Sequence, residues 1–224
     1  MIIAGSVKRM KRGAIFDMDG LMFDTERIWQ ESWQRAAMKR SVSLPEDFPS
    51  IISGTSGEKT LSIIRKYYRT EEADSIRTEV RQYTMARLAE GIPVKQGLRE
   101  LLEYLKKNGV KMAVASSSRL DIIEHNLEAA SVRSYFDAVV SGSGMAYGKP
   151  EPDIFIKAAN ALHLAPIDCW VLEDSINGIK AAHRTEAAAI MVPDLMKPTE
   201  EILSYAHVYT TLDALIPDME SGRL

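Results

Sequence analysis

Two aspartates one residue apart, Asp17 and Asp19, stand directly after a short apolar run and directly before a glycine. Gly13-Ala14-Ile15-Phe16 reads as a buried strand, and Gly20 breaks it. The pair therefore belongs at a strand's C-terminal end, where an open α/β sheet holds its ligands. Two carboxylates packed there repel each other unless a cation neutralises them. The chemistry they suit is a Mg²⁺ site with a carboxylate nucleophile. With 13 aspartates in 224 residues, a bare Asp-x-Asp triplet is expected about once by chance, so position and company must carry the argument.

Three further strand ends supply that company. Val114-Ala115 runs into Ser116-Ser117-Ser118. Small hydroxyls that follow a strand and open a helix suit a phosphate, because hydroxyls and backbone N–H groups donate together. Taken singly, such a cluster is more often a helix cap. Gly148-Lys149-Pro150 lies beyond the next strand, with Pro152 at a helix start. A lone surface lysine is usually solvated. A fourth strand ends in Leu172-Glu173-Asp174-Ser175, where Asp174 alone reads equally well as a cap. Together the four ends are more specific. The acids gather a divalent cation, and Ser116 and Lys149 gather an oxyanion. Mg²⁺ and phosphate beside a carboxylate nucleophile make a site for phosphoryl transfer.

The elements that must position these residues alternate along the chain. Apolar, β-rich runs cover 13–17, 110–116, 136–140, 169–173, 187–192 and a short 207–210. Segments with helical spacing cover 98–107, 120–128, 152–162, 176–183 and 199–206, and Asn108-Gly109 ends the first of them. Such alternation predicts a mostly parallel sheet covered on both faces.

One region breaks the alternation. Between 25 and 91 the apolar residues recur only at helical spacing. Ile28, Trp29, Trp33, Ala36 and Ala37 form one stripe; Leu61, Ile64 and Tyr68 follow a capping box at Thr55-Ser56-Gly57-Glu58; Ala73, Ile76, Val80, Tyr83 and Leu88 form another. The stretch 41–50, with Pro45 and Pro49, reads as a loop. The expected domains are an α/β core of 1–24 and 92–224 and a helical insert of 25–91. Because the insert leaves the sheet directly after the acid pair, it is expected to act as a lid that excludes water and chooses the leaving group.

Composition excludes several classes. The chain is 46% hydrophobic and 26% charged, with net charge −3, which suits a globular domain with a real core. Lys8, Arg9, Lys11 and Arg12 cluster before the first strand, but a solvated edge accounts for four cations, and no nucleic-acid partner is expected. The single cysteine, Cys169, sits in an apolar run and reads as a buried, inert thiol in a reducing, cytoplasmic setting. No stretch is long enough to span a bilayer, no signal peptide is read at the N-terminus, and a monomer is expected.

The ordered set Asp17-Met18-Asp19-Gly20, Ser116, Lys149-Pro150 and Glu173-Asp174 resembles the four signature motifs of the haloacid dehalogenase superfamily. Asp24-Thr25 and the run Lys149-Pro150-Glu151-Pro152-Asp153-Ile154-Phe155 resemble its β-phosphoglucomutase-like subgroup. The resemblance covers nearly the whole chain. It implies a Rossmann-like parallel sheet of order 3-2-1-4-5 with a helical cap after the first strand. It also implies roles. Asp17 is the nucleophile that forms an aspartyl-phosphate. Asp19 is the acid for the leaving oxygen and then the base for water. The Asp17 carboxylate, the Asp19 main-chain carbonyl and Asp174 hold Mg²⁺, with Glu173 in or next to that shell. Ser116, the Ser117 amide and Lys149 hold the phosphate oxygens.

Departures from the pattern refine the expectation. True dehalogenases lack the second aspartate of the motif, so Asp19 argues against halide displacement. Mutases of the subgroup carry a cap histidine and two cap-loop cations; those positions fall here at Trp29, Ser53 and Gly57. Without these cations a second phosphate is poorly held and water should win, although Lys59 lies nearby. The expectation is a phosphatase of a small phosphorylated metabolite, a sugar or polyol phosphate, with Trp29 and the polar loop 53–59 as leaving-group contacts. A sugar-phosphate mutase is the alternative enzyme, and a non-catalytic phosphate-binding relative the alternative of another class. A phospho-acceptor receiver domain is too short to account for the chain. Finally, Thr185-Glu186 replaces the family's usual Ala-Gly. A glutamate would be strained at positive φ, so a locally altered turn is expected there.

Overall fold

The computed structural model describes residues 10–52, 55 and 57–224. Lys8, Arg9, Ser53 and Ser56, which entered the reading above, lie outside the described residues. The chain forms two compact units. One holds the residues up to Phe23 and from Val94 onward, and the other is Asp24–Pro93.

In the first unit the strands are β1 (Gly13–Phe16), β2 (Lys111–Ser116), β3 (Ala138–Ser141), β4 (Cys169–Glu173), β5 (Ala188–Met191) and β6 (His207–Val208). Among the described residues they form one sheet of order β3-β2-β1-β4-β5-β6, with every pairing parallel. This is the expected 3-2-1-4-5 order, extended by the short sixth strand. Order and direction have a consequence for chemistry: β1 is central, flanked by β2 and β4, so three strand ends that carry polar motifs are neighbours. The register places Phe16 opposite both Val114 and Leu172.

The helical unit contains α1 (Thr25–Met38), α2 (Phe48–Ile52), α3 (Gly57–Tyr68) and α4 (Ala73–Ala89). The first unit adds α5 (Leu98–Lys107), α6 (Leu120–Ala129), α7 (Asp153–Ala161), α8 (Ile176–His183), α9 (Glu200–Leu203) and α10 (Ile216–Glu220). Strand side chains alternate between faces. Ile15, Ala113, Ala115 and Val171 join Phe155, Ala158, Ile179 and Ala182 of α7 and α8 in one core. On the other face Ala14, Phe16, Val114, Trp170 and Leu172 are also fully buried. Double burial explains why these strands read as continuous apolar runs rather than alternating ones. Cys169 belongs to this core, and burial pushes its thiol up to about 11, an inert group at neutral pH.

The helical unit has its own core. Trp33, Phe48 and Tyr68 meet edge-on or tilted, with centroids 5.9–6.3 Å apart, surrounded by Ala37, Ile64, Ile76 and Val80. Part of the expected loop 41–50 is instead helical, as α2. Its first residue, Phe48, is almost wholly buried. The prolines read as loop signals, but Pro49 stands in the first turn of α2, where a missing N–H costs nothing. Thr55 also departs from the capping-box expectation: its hydroxyl donates to the Ile52 carbonyl and meets Thr60 Oγ1 at 3.0 Å.

The segment 199–206 shortens to α9, capped by the Thr199 hydroxyl. The turn after α8 is not altered. Glu186 takes φ +63, the left-handed conformation. Buried Thr185 accounts for its persistence: its hydroxyl donates to the Ala182 carbonyl and accepts from the Ala187 N–H, holding both arms.

Candidate active site

The parallel register brings Asp17, Glu173 and Asp174 together. One carboxylate oxygen from each lies within 4.8 Å of the others. Asp17 and Glu173 are buried. Asp17 directly follows β1, and its N–H continues the ladder to the Leu172 carbonyl at 3.0 Å, which fixes the nucleophile candidate beside the end of β4. Beyond it the chain turns sharply. Gly20 sits at φ +88, and a Cβ there would stand 2.5 Å from Asp174 Oδ2. Only glycine lets the turn press against that carboxylate.

Lys149 enters from the segment between β3 and α7. Its Nζ donates to Asp17 Oδ1 and, at 2.6 Å, to Glu173 Oε1, while lying 4.9 Å from the centroid of the Phe155 ring. The other oxygen of Glu173 accepts from the Ser175 N–H at 2.7 Å. Both oxygens of Glu173 are thus engaged within the protein. Its carboxylate also fills the space a side chain at Gly178 would need: a Cβ there would overlap the Glu173 carboxyl atoms.

The electrostatics follow from crowding. Burial pushes Asp17 up to about 7; Lys149 opposes the shift, and Glu173 and Asp19 add to it. Burial likewise raises Asp174 well above the carboxylate range, reinforced by Glu173 and Asp17. For Lys149, burial works against the ammonium, but Asp17 and Glu173 outweigh it and hold the group protonated. One lysine serves three acids, so the cluster carries excess negative charge that a cation would relieve. The donors are all hard carboxylate oxygens, the set that suits Mg²⁺.

The Asp19 carboxylate meets the serine loop after β2. Its Oδ2 accepts from Ser118 Oγ at 2.9 Å and from Ser116 Oγ at a longer 3.4 Å. Ser118 N–H donates to Ser116 Oγ at 3.1 Å, so the serine loop after β2 folds around the carboxylate. Ser116 is buried, and Ser117 is exposed. Three elements thus bring Asp17, Lys149, Glu173 and Asp174 together, with Asp19 against Ser116 and Ser118. Trp29 lies in the helical unit, where it packs against that unit's core.

Sequence reasoning assigned no separate role to Ser118, Phe155 or Gly178. Ser118 belonged to the noticed triplet, but which hydroxyl meets Asp19 depends on the loop's turn. Gly178 was visible as Asn177-Gly178, without a sign that a carboxylate needed its space.

Comparison with known proteins adds further findings. The haloacid dehalogenase-like hydrolase family model matches residues 14–192. Hexitol phosphatase B of Escherichia coli is 32% identical over 195 residues, covering 84% of this chain and 86% of that protein. β-Phosphoglucomutase of Bacillus subtilis is 31% identical over 179 residues, 76% of this chain and 78% of that one. The crystal structure of β-phosphoglucomutase from Clostridium difficile has a TM-score of 0.75 to this chain at 24% identity, covering 96% of this chain and 98% of that one, a likeness of fold.

Proposed function

The chain belongs to the haloacid dehalogenase-like hydrolase family, and from that premise we propose that it is a Mg²⁺-dependent phosphatase of small phosphomonoesters, sugar or polyol phosphates above all. The observation that carries this reading is the buried Asp17 sharing Lys149 with Glu173 beside Asp174, with Asp19 held nearby by serine hydroxyls. A relative named hexitol phosphatase supports the substrate class.

Asp17 attacks phosphorus, and the bond from phosphorus to the leaving oxygen breaks. That oxygen keeps the bonding pair and takes a proton from the Asp19 carboxyl. Asp19, now a carboxylate, takes a proton from the water that cleaves the aspartyl-phosphate, which releases phosphate and restores Asp17. Lys149, the Ser116 hydroxyl and the Ser117 amide hold the oxygens on which transition-state charge collects. The Asp17 and Asp174 carboxylates and the Asp19 main-chain carbonyl would hold Mg²⁺, with Glu173 adjoining. Bound there, the ion supplies the positive charge that lets a carboxylate approach a phosphate dianion.

The test is hydrolysis of p-nitrophenyl phosphate and of a panel of sugar and polyol phosphates. Phosphate release should require Mg²⁺ and stop with EDTA. Asp17→Asn should be folded and inactive; activity surviving that change removes Asp17 as nucleophile. The relative named β-phosphoglucomutase favours a second reading. β-Glucose 1-phosphate separates the two: free phosphate supports the phosphatase, and glucose 6-phosphate the mutase.

A further inference from the structure

The end of β3 carries no motif residue, yet it grips the serine loop at three points. Ser141 stands opposite Ser116 in the register. The Gly142 N–H donates to the Ser116 carbonyl at 2.8 Å. Ser141 Oγ donates to the Ser118 carbonyl at 2.6 Å, and accepts the Ser143 N–H at 3.1 Å, which aims the hydroxyl. A Cβ at Gly142 would lie 3.4 Å from Ser117 Cα, ordinary van der Waals contact, so Gly142 packs beside the serine loop. Across the loop, Ser118 Oγ donates to Asp19 Oδ2 at 2.9 Å.

These contacts form one chain: Ser143 N–H to Ser141 Oγ, Ser141 Oγ to the Ser118 carbonyl, and Ser118 Oγ to the Asp19 carboxylate. With its carbonyl held by Ser141 and its N–H donating to Ser116 Oγ at 3.1 Å, Ser118 has both flanking peptide planes held, which sets its Cα–Cβ direction toward Asp19. On the phosphatase reading above, we infer that Ser141 is a positioning residue for Asp19. It holds the serine loop so that the Asp19 carboxyl stands where its proton reaches the leaving oxygen. The step that kcat/KM reads is the first one: Asp17 forms a bond to phosphorus, the phosphorus–oxygen bond breaks, and the departing oxygen receives the Asp19 proton. A misplaced acid slows this step only for leaving groups that need the proton.

That dependence provides the test. p-Nitrophenolate departs without a proton, whereas the alkoxide of sorbitol 6-phosphate must be protonated. In Ser141→Ala, kcat/KM for sorbitol 6-phosphate should fall about 10-fold or more, while kcat/KM for p-nitrophenyl phosphate stays within about 2-fold. Ser141→Thr keeps a hydroxyl and should restore the ratio. Ser118→Ala should shift the ratio in the same direction. Equal losses on both substrates mean a merely structural role and overturn the inference, as does a change in Ser118→Ala without one in Ser141→Ala. Should Ser141→Ala not fold, Ser141→Cys with the same pair of substrates decides by the same ratio. A wild-type protein that hydrolyses neither ester overturns the phosphatase reading itself, and the positioning role with it.

Discussion

Replacing Gly178 by alanine adds one methyl group in the first turn of α8, and the structure says where it goes. It would overlap the carboxyl carbon and both oxygens of Glu173. The glycine's own N–H is already committed to Ser175 Oγ at 3.0 Å, so the helix start is pinned and the carboxylate must yield. A displaced Glu173 loses two charge-assisted bonds that it accepts, from Lys149 Nζ at 2.6 Å and from the Ser175 N–H at 2.7 Å. Such bonds contribute roughly 1.5–3 kcal/mol each, and partial retention by relaxation is expected. Alanine's better helix propensity returns about 1 kcal/mol. The expected net loss is about 2–4 kcal/mol, which for a chain of this length lowers Tm by roughly 5–15 °C. Thermal or urea unfolding measures it. The deciding control is a double-mutant cycle with Glu173→Ala. Once the carboxylate is gone, Gly178→Ala should be neutral or stabilising by up to about 1 kcal/mol. If the two changes add within about 0.5 kcal/mol, the steric account of Gly178 is wrong.

Other expectations follow from the same geometry. Asp17 and Asp174 bind their protons more tightly folded than unfolded, since both carboxyls are raised, Asp17 to about 7. The Asp17 contribution to stability is therefore full below the unfolded carboxylate range and is lost as pH rises through about 7, and that of Asp174 is lost in the same direction. EDTA-treated protein should melt lower at pH 8 than at pH 5, and millimolar Mg²⁺ should reverse the drop. Asp174→Asn should flatten that slope and abolish the Mg²⁺ shift; an unchanged slope refutes the crowding argument. Glu186→Gly relieves a left-handed glutamate at an exposed turn and should stabilise by about 0.5–1 kcal/mol, seen as a rise in Tm. In the helical unit, Tyr68→Phe removes a 2.8 Å bond to the Trp33 carbonyl and should cost about 1 kcal/mol in denaturant unfolding.

Strand existence was legible because both faces of the sheet are buried. Continuous apolar, β-rich runs such as Cys169-Trp170-Val171-Leu172 suit a strand buried on both faces. The interruption between 25 and 91 was legible because hydrophobic spacing changes to that of helices. Phe48 was not legible as a core residue, because Pro45 and Pro49 flank it and signal a loop. Nor was the turn at Glu186: propensity alone opposes it, and the buried Thr185 hydroxyl that holds it acts through partners the chain brings close only when folded.

The same division runs through the site. Which residue types stand at which strand ends is readable along the chain, because an apolar run followed by acids, serines or a lysine is a local pattern. That pattern nominated Asp17, Asp19, Glu173 and Asp174 as the acids near one another, but it did not show that Asp17, Glu173 and Asp174 form the cluster while the Asp19 carboxylate meets serine hydroxyls. Tertiary structure decided who touches whom. It placed Lys149 between Asp17 and Glu173, turned Asp19 toward Ser118, set Ser141 behind the serine loop, and left the Glu173 carboxylate in the space over Gly178. These outcomes depend on register, turn geometry and excluded volume between segments far apart in the chain, and none of these is encoded in the spacing of any one motif.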